Sequence, residues 1–378
     1  MKTTLERRSE KQIPPFGRND KLDLPNGKPG LRNSERDSWN DARDLWAPAC
    51  ATAGAAVWAG IAVLARVGIA QLGAIELLFL FAPLVIVPLG IELGRVLGGA
   101  GRLEELARRL HPVGAALAVV AMWLPVGPRA GIAAMGWMTI CVLMAGSGFV
   151  GLVRALWGDA GGGPRATRFV LAIARIDLAV GGAWLVASRL GMRPMGIQEP
   201  IGLLTAVHFH FAGFATATIA AATLQFAERR GEYGWEYRWV KPVVLMVAGL
   251  PIVVAAGFVI SPTMKVAAAI SFSASVAVLA VAVRACGRKV EDPTARILLQ
   301  IAAAAVFVGM VLSGVYAVAD YLGSDALTIP QMARTHGILN GLGFCLVGLL
   351  GWLVDSSAQD TVTDVRSFQT EAEPEPVH

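Results

Sequence analysis

The chain has 378 residues, of which 55% are hydrophobic and only 16% are charged, and its mean hydropathy is +0.56. Soluble domains carry about a quarter charged residues, so this composition excludes an ordinary soluble enzyme or binding domain. The net charge of +5 does not indicate a nucleic-acid partner, because the basic residues cluster in short loops between apolar runs, as membrane topology requires.

The chain begins with a polar segment, residues 1–45, which is mixed in charge and rich in turn-forming residues. No apolar run follows its first basic residues, so we do not expect a cleavable signal peptide there. We expect a disordered cytoplasmic tail there. The acidic residues 355–378 end in EAEPEPVH and predict a second disordered cytoplasmic tail. The transmembrane domain is thus predicted to cover residues 46–354.

Apolar runs fill the sequence between these tails. Each is about 20 residues long, which is enough to cross roughly 30 Å of hydrocarbon as a helix. They predict an all-α, polytopic transmembrane helical bundle with spans at about 47–65, 72–92, 112–126, 130–153, 168–188, 201–224, 242–260, 265–284, 297–319 and 333–354. The third run is short and could form a hairpin with the fourth, so nine is the alternative to ten. The charged stretch RLEELARRLH before it is expected to be a short surface helix.

The loops provide a check on this topology. If both termini are inside, every predicted inner loop holds more basic residues than any outer loop, as the positive-inside rule requires. We therefore predict that both termini face the cytoplasm. The four cysteines show no paired spacing, which favours neither a zinc site nor a disulfide framework.

A few polar residues interrupt the predicted spans: Glu76, Arg175, Asp177, His208, His210, His336 and Asn340. Such residues usually face the bundle interior and mark a pathway or a site. Because a helix rises about 1.5 Å per residue, four of them, from spans two, six and ten, fall at similar depths in the outer half. We predict that His208 and His336 line one outward-facing cavity near Glu76.

The spacing of the histidines limits what they can do together. His208 and His210 would diverge by about 160° on a regular helix, so they cannot chelate one metal from a straight helix. Either one faces the cavity while the other meets a neighbouring helix, or the helix unwinds near Gly213. His336 and Asn340 share one face. Interhelical hydrogen bonding by neutral imidazoles remains the structural alternative, and for Arg175 and Asp177 we favour such a structural role.

Two stretches, EPIGLLTAVHFHFAGFATATIAA and RTHGILNGLGFCLVGLLGW, resemble the YndJ-like family of bacterial multi-pass membrane proteins. The residues that carry the resemblance are Glu199–Pro200, His208 and His210 with Ala212–Gly213–Phe214, and Thr335–His336–Gly337 with Asn340 and Gly343–Phe344. The span pattern fits over most of residues 50–354. The resemblance implies a ten-helix type of protein in the bacterial inner membrane, often labelled a transporter, and it supplies no mechanism.

Three functions remain open at this point. The first is a permease for an unknown solute or ion, with the histidines, Glu76 and Asn340 forming a polar pocket for substrate binding or proton relay. The second is a membrane oxidoreductase with His208, His210 and His336 as haem or metal ligands, because imidazole suits such metals. The third is a non-catalytic sensor or scaffold. The sequence requires no cofactor, and the expected partner is the lipid bilayer, without nucleic acid.

Overall fold

The computed structural model describes residues 45–158, 164–231, 238–324 and 327–356. Within these ranges the regular structure is helical, and it forms one unit that begins at Trp46. The helices are α1 (Trp46–Arg66), α2 (Ala74–Gly98), α3 (Arg102–Trp123), α4 (Pro128–Trp157), α5 (Arg165–Leu190), α6 (Ile201–Arg229), α7 (Val240–Ile260), α8 (Pro262–Gly287), α9 (Pro293–Tyr321) and α10 (Ile329–Ser356). Apart from Leu45, Asp355 and Ser356, the two predicted tails lie outside the described residues.

Among the described residues, nine of the ten helices are long and apolar enough to cross a membrane. This confirms the polytopic all-α fold. The tenth helix is α3, whose first two turns carry the charged run RLEELARR. The prediction of a separate surface helix there was wrong, because this run continues without a break into the third apolar segment. Glu104 and Arg108 are buried. Their ion pairs with residues of neighbouring helices offset the cost of burying these charges.

Local signals set the helix ends. Proline occupies the first turn of α4, α8 and α9, where its missing N–H leaves no hydrogen bond unmade. The Ser261 hydroxyl accepts a hydrogen bond from the Met264 amide at 3.1 Å, and the Asp292 carboxylate accepts one from the Ala295 amide at 2.8 Å. Both are N-caps that fix where α8 and α9 begin.

Two helices form the centre of the bundle. The apolar windows of α2 and α6 are each 78% buried inside the protein, whereas those of the other candidate spans are half buried or less. Consecutive helices pack extensively in the pairs α3–α4, α4–α5, α7–α8 and α8–α9, and α10 packs on α9. The core therefore surrounds α2 and α6, and the remaining helices present apolar faces outward.

Three of the helices contain π-helical turns, which lie at Ala82–Ile86 in α2, Phe209–Thr216 in α6 and Leu339–Leu346 in α10. Such turns are rare and occur frequently at functional sites. In α10 the helix is also interrupted at Thr335, whose backbone has φ −109° and ψ −77°. The helix around His208 and His210 thus neither stays regular nor unwinds at Gly213. It continues through Gly213 with wider turns.

Candidate functional site

A cavity of about 500 Å³ lies among α6, α7, α8, α9 and α10. Leu78 of α2 and Trp184 of α5 complete its wall, and most of the lining side chains are apolar. Its volume falls within the range of small-molecule sites, roughly 300–1,000 Å³. Most of the polar lining groups stand near the end of the bundle where α6, α8 and α10 begin and where α9 ends.

His208 lines this cavity at the last α-helical position before the π turns of α6. Its ring is accessible, and Nδ1 lies 2.8 Å from the carbonyl oxygen of Leu204. A carbonyl only accepts hydrogen bonds, so Nδ1 carries the proton and donates it. Nε2 is then a lone-pair acceptor, able to receive a hydrogen bond from a molecule in the cavity.

His336 and Asn340 line the same cavity from α10. The His336 Nδ1–H donates to the carbonyl oxygen of Gly309 at 2.9 Å, and the Asn340 side-chain amide donates to His336 Nε2 at 3.1 Å. This confirms that the two residues share one face. A Cβ at Gly309 would lie 2.7 Å from Asn340 Oδ1, so only glycine lets α9 support this pair so closely.

The floor of the cavity is the contact between the π turns of α6 and α10. The Cys345 thiol is 3.8 Å from both the Phe211 carbonyl oxygen and the Thr216 hydroxyl. A Cβ at Gly341 would lie 3.2 Å from the Phe211 ring. The two segments that follow His208 and His336 therefore pack directly on each other below the cavity.

An ion pair stands at the bundle end of the cavity. Lys265 Nζ of α8 is 2.6 Å from Asp320 Oδ2 of α9, and the side chains are 27% and 37% exposed. Both residues line the cavity, as does Tyr316, one turn from Asp320. Sequence reasoning did not assign them to the site. The sequence did contain a signal for this pair. Two antiparallel helices joined by a short loop, such as α8 and α9, place the start of the first beside the end of the second.

His210 does not share the cavity with the other two histidines. It is fully buried, and its Nε2 accepts a hydrogen bond from Trp137 Nε1–H at 2.9 Å, while Nδ1–H donates to the Ala206 carbonyl at 2.7 Å. Both ring nitrogens are therefore engaged. In the described part of the chain, no group of three or more His, Cys, Asp or Glu side chains is placed to hold a metal ion.

Glu76 also stands apart from the cavity. Its Oε2 accepts a hydrogen bond from the Gly73 amide at 3.0 Å, which caps the first turn of α2. It is not among the residues that line the cavity, although Leu78 of the same helix is. This carboxylate therefore binds the backbone amide at the start of its own helix and not the histidines.

Arg175 belongs to a buried charge cluster, which consists of Glu92 and Arg95 of α2, Glu104, Glu105 and Arg108 of α3, and Arg175 of α5. Arg175 pairs with Glu104 at 2.7 Å, and Arg108 pairs with Glu92 at 3.3 Å. The Arg108 guanidinium also lies 4.7 Å from the centre of the Trp46 ring. The sequence analysis placed Glu92 at the end of a span and the α3 charges in a short surface helix, so it missed this cluster.

Asp177, two residues beyond Arg175, has a different environment. It is fully buried, and neither carboxylate oxygen has a hydrogen-bond partner among the described residues. A Cβ at Gly213 would lie 2.8 Å from Asp177 Oδ2, so the carboxyl group lies against the π turns of α6. The structure brings together His208, His336 and Asn340 and leaves His210, Glu76, Arg175 and Asp177 outside the cavity.

Comparison with known proteins gives one family and one relative. The family described as YndJ-like protein matches residues 77–344, a stretch that reaches from the start of α2 into the π turns of α10. The uncharacterized membrane protein YndJ of Bacillus subtilis (strain 168) is 28% identical over 193 residues, which cover 51% of this chain and 34% of that protein. The matched part thus spans about a third of the relative's length. No solved structure matches the chain.

Proposed function

This chain belongs to the YndJ-like family of multi-pass membrane proteins, and from that premise we propose that it is a carrier for a small amphipathic solute. The solute binds in the cavity between α6 and α10. The observation that carries this proposal is that His208 and His336, from two different helices, line one cavity, and that each is followed closely by π-helical turns.

The chemistry of the wall defines the solute class. Apolar side chains make up most of the lining and suit an alkyl or aromatic body. The Nε2 of His208 offers an acceptor. The Asn340 side-chain amide is bound to His336 Nε2, whereas Asn340 Oδ1 has no hydrogen-bond partner among the described residues. The Lys265–Asp320 pair lies at the bundle end, where it can contact a polar or charged head group. A molecule with one polar end and one apolar end matches this distribution.

Carrier activity, rather than static binding, is favoured by the shape of the two helices. Transporters typically bind their substrates where transmembrane helices are discontinuous, because the freed backbone groups and the weakened helix serve binding and movement. Here the backbone of α10 departs from regular α-helical geometry at Thr335, and the π turns of α6 and α10 meet at the cavity floor. A haem or metal enzyme that uses all three histidines is disfavoured because His210 is engaged elsewhere.

Thiol accessibility from each side of the membrane tests the proposal. In a variant without native cysteines, Ala269→Cys places a thiol in the cavity wall, and Thr216→Cys places one at its floor. Lys289→Cys and Ser324→Cys report orientation, and we propose that they face the cytoplasm and the exterior, respectively. A membrane-impermeant maleimide is applied to right-side-out and to inside-out bacterial membrane vesicles.

A carrier that alternates between two states should expose Thr216→Cys to reagent from both sides, and Ala269→Cys from the outside only. Labelling of Thr216→Cys from a single side under all conditions would contradict the carrier function and indicate a fixed binding pocket. Labelling of neither thiol would mean that the cavity is closed to water and would also contradict it. Swapped labelling of Lys289→Cys and Ser324→Cys would overturn the proposed orientation without affecting the cavity.

A further inference from the structure

We propose that Asp177 of α5 is a proton-binding site that is coupled to the cavity through the π turns of α6. The coupling to the cavity rests on the proposed carrier function, whereas the bound proton does not. The site is separate from the cavity wall, because Asp177 is not among the residues that line the cavity and contacts the π turns of α6 at Gly213.

The carboxyl group of Asp177 is isolated from polar partners. Asp177 is fully buried, and its two oxygens have no hydrogen-bond partner in the described ranges. An ionised carboxylate in such an apolar setting carries a large desolvation cost, which protonation removes. The folded arrangement seen here therefore accommodates aspartic acid and not aspartate.

The charged and titratable groups on the helices around Asp177 either pair with other residues or stand away from it. Arg175, on the same helix, pairs with Glu104 of α3, and His210 of α6 is bonded through both ring nitrogens. Glu92 of α2 pairs with Arg95 and Arg108. Cys141 of α4 packs against Gly182, and on α7 the one charged residue, Lys241, stands in the first turn. None of these groups supplies a positive charge to Asp177.

The π turns of α6 connect this carboxyl group with the cavity. Asp177 and Gly181, one turn apart on α5, contact the π turns of α6: a Cβ at Gly213 would lie 2.8 Å from Asp177 Oδ2, and one at Gly181 would lie 2.6 Å from His210 Nδ1. Phe211 and Ala212, in the same π turns, line the cavity. One short segment thus presents one face to the carboxyl group and the other face to the solute.

A π segment is suited to transmit a change between its two faces. Its turns are closed by i→i+5 hydrogen bonds in place of the i→i+4 bonds of an α-helix, and such turns occur frequently at functional sites. Loss of the proton leaves a carboxylate that needs water or a donor, which the present packing on Gly213 does not provide. Release of the proton therefore requires the π turns to shift, and this shift also moves Ala212 in the cavity wall.

Infrared spectroscopy of the full chain in lipid nanodiscs tests the bound proton. At neutral pH the wild-type protein should show the carbonyl stretching band of a protonated carboxylic acid, and aspartate labelled with ¹³C at its carboxyl group should shift it. The band should vanish in Asp177→Asn, which keeps the size of the acid, and persist in the matched control Asp320→Asn. Absence of the band in the wild type, or its persistence in Asp177→Asn, would overturn the proton site.

A second measurement tests the coupling. In the cysteine-free background, Ala212→Cys is labelled by a maleimide across a range of pH, with Asp177 intact and with Asp177→Asn. We expect a step in the labelling rate when Asp177 is intact. The step should be absent from the otherwise identical Asp177→Asn variant, where only the intrinsic thiol titration remains. Identical pH profiles would disprove the coupling. Such a result would not affect the infrared test of the bound proton. It would also not affect the test of the carrier function with Thr216→Cys.

Discussion

The cavity and the buried charge cluster both place polar groups among apolar helices, but they differ in how those groups are satisfied. In the charge cluster, acids and guanidinium groups pair with one another, as in Arg175 with Glu104 and Arg108 with Glu92. In the cavity, the hydrogen bond that His208 makes among the described residues is to its own helix, which leaves Nε2 as an acceptor for a ligand. The charge cluster therefore holds three helices together, whereas the cavity keeps an acceptor nitrogen available to a ligand.

The largest effect is expected from breaking the charge cluster. Glu104→Gln removes the charge that faces Arg175, whose side chain is only 11% exposed. An unpaired buried guanidinium group typically costs about 3–5 kcal/mol. We expect the free energy of unfolding, measured in detergent with a denaturant, to fall by that amount.

The matched control for this loss is Glu105→Gln in the same turn, since that side chain is 33% exposed and its change should stay below about 1 kcal/mol. Replacing Glu104 and Arg175 together by methionine should restore most of the stability, because buried ion pairs are often no better than apolar side chains. Equal losses in Glu104→Gln and Glu105→Gln would show that the cluster does not act through burial.

The next effect concerns the histidine that lies outside the cavity. Trp137→Phe keeps one aromatic ring in the core but removes part of the buried indole and the N–H that His210 Nε2 accepts. A buried acceptor left without its donor costs about 1–3 kcal/mol, so the unfolding free energy should fall by this amount. The control is Trp123→Phe at a half-exposed position, where a change within about 0.5 kcal/mol is expected. Equal behaviour of the two variants would refute a structural role for His210.

A smaller effect separates the two neighbouring histidines. His208→Ala removes an accessible ring that bonds only to the Leu204 carbonyl of its own helix. We expect a stability change within about 0.5 kcal/mol, against a loss of about 1–3 kcal/mol for His210→Ala, which leaves the Trp137 donor unpaired. Thermal unfolding of the two purified variants measures the difference. A larger loss for His208→Ala would remove the distinction between the cavity histidine and the core histidine.

Much of the fold could be predicted from the sequence, because apolar runs of membrane-spanning length and their basic loops are local patterns. The α-helical class and the shared face of His336 and Asn340 follow from spacing alone. The extent of α3 did not, because its charged first turns are typical of a surface helix. Only the partners on α2 and α5 make Glu104 and Arg108 acceptable inside the bundle, and those partners are distant in the sequence.

The candidate site was predictable in part for the same reason. Depth along each helix grouped His208 with His336, and both line the cavity, but depth does not indicate the direction in which a side chain points. The π turns of α6 alter the rotation per residue, so angles drawn for a regular helix do not hold beyond His208. Depth also grouped Glu76 with the histidines. Its carboxylate instead caps the start of its own helix, and depth along the helix does not predict such a local hydrogen bond.

The smallest effect is expected at the Lys265–Asp320 pair, where the cavity meets the bundle end. The two side chains are about a third exposed, so water and salt screen their attraction and ordering them costs entropy. A double-mutant cycle with Lys265→Met and Asp320→Asn should give a coupling of about 0.2–1 kcal/mol, and added salt should reduce it. A coupling of several kcal/mol that does not respond to salt would show that this pair behaves like the buried charge cluster. The difference between the cavity and the cluster would then not hold at the bundle end of the cavity.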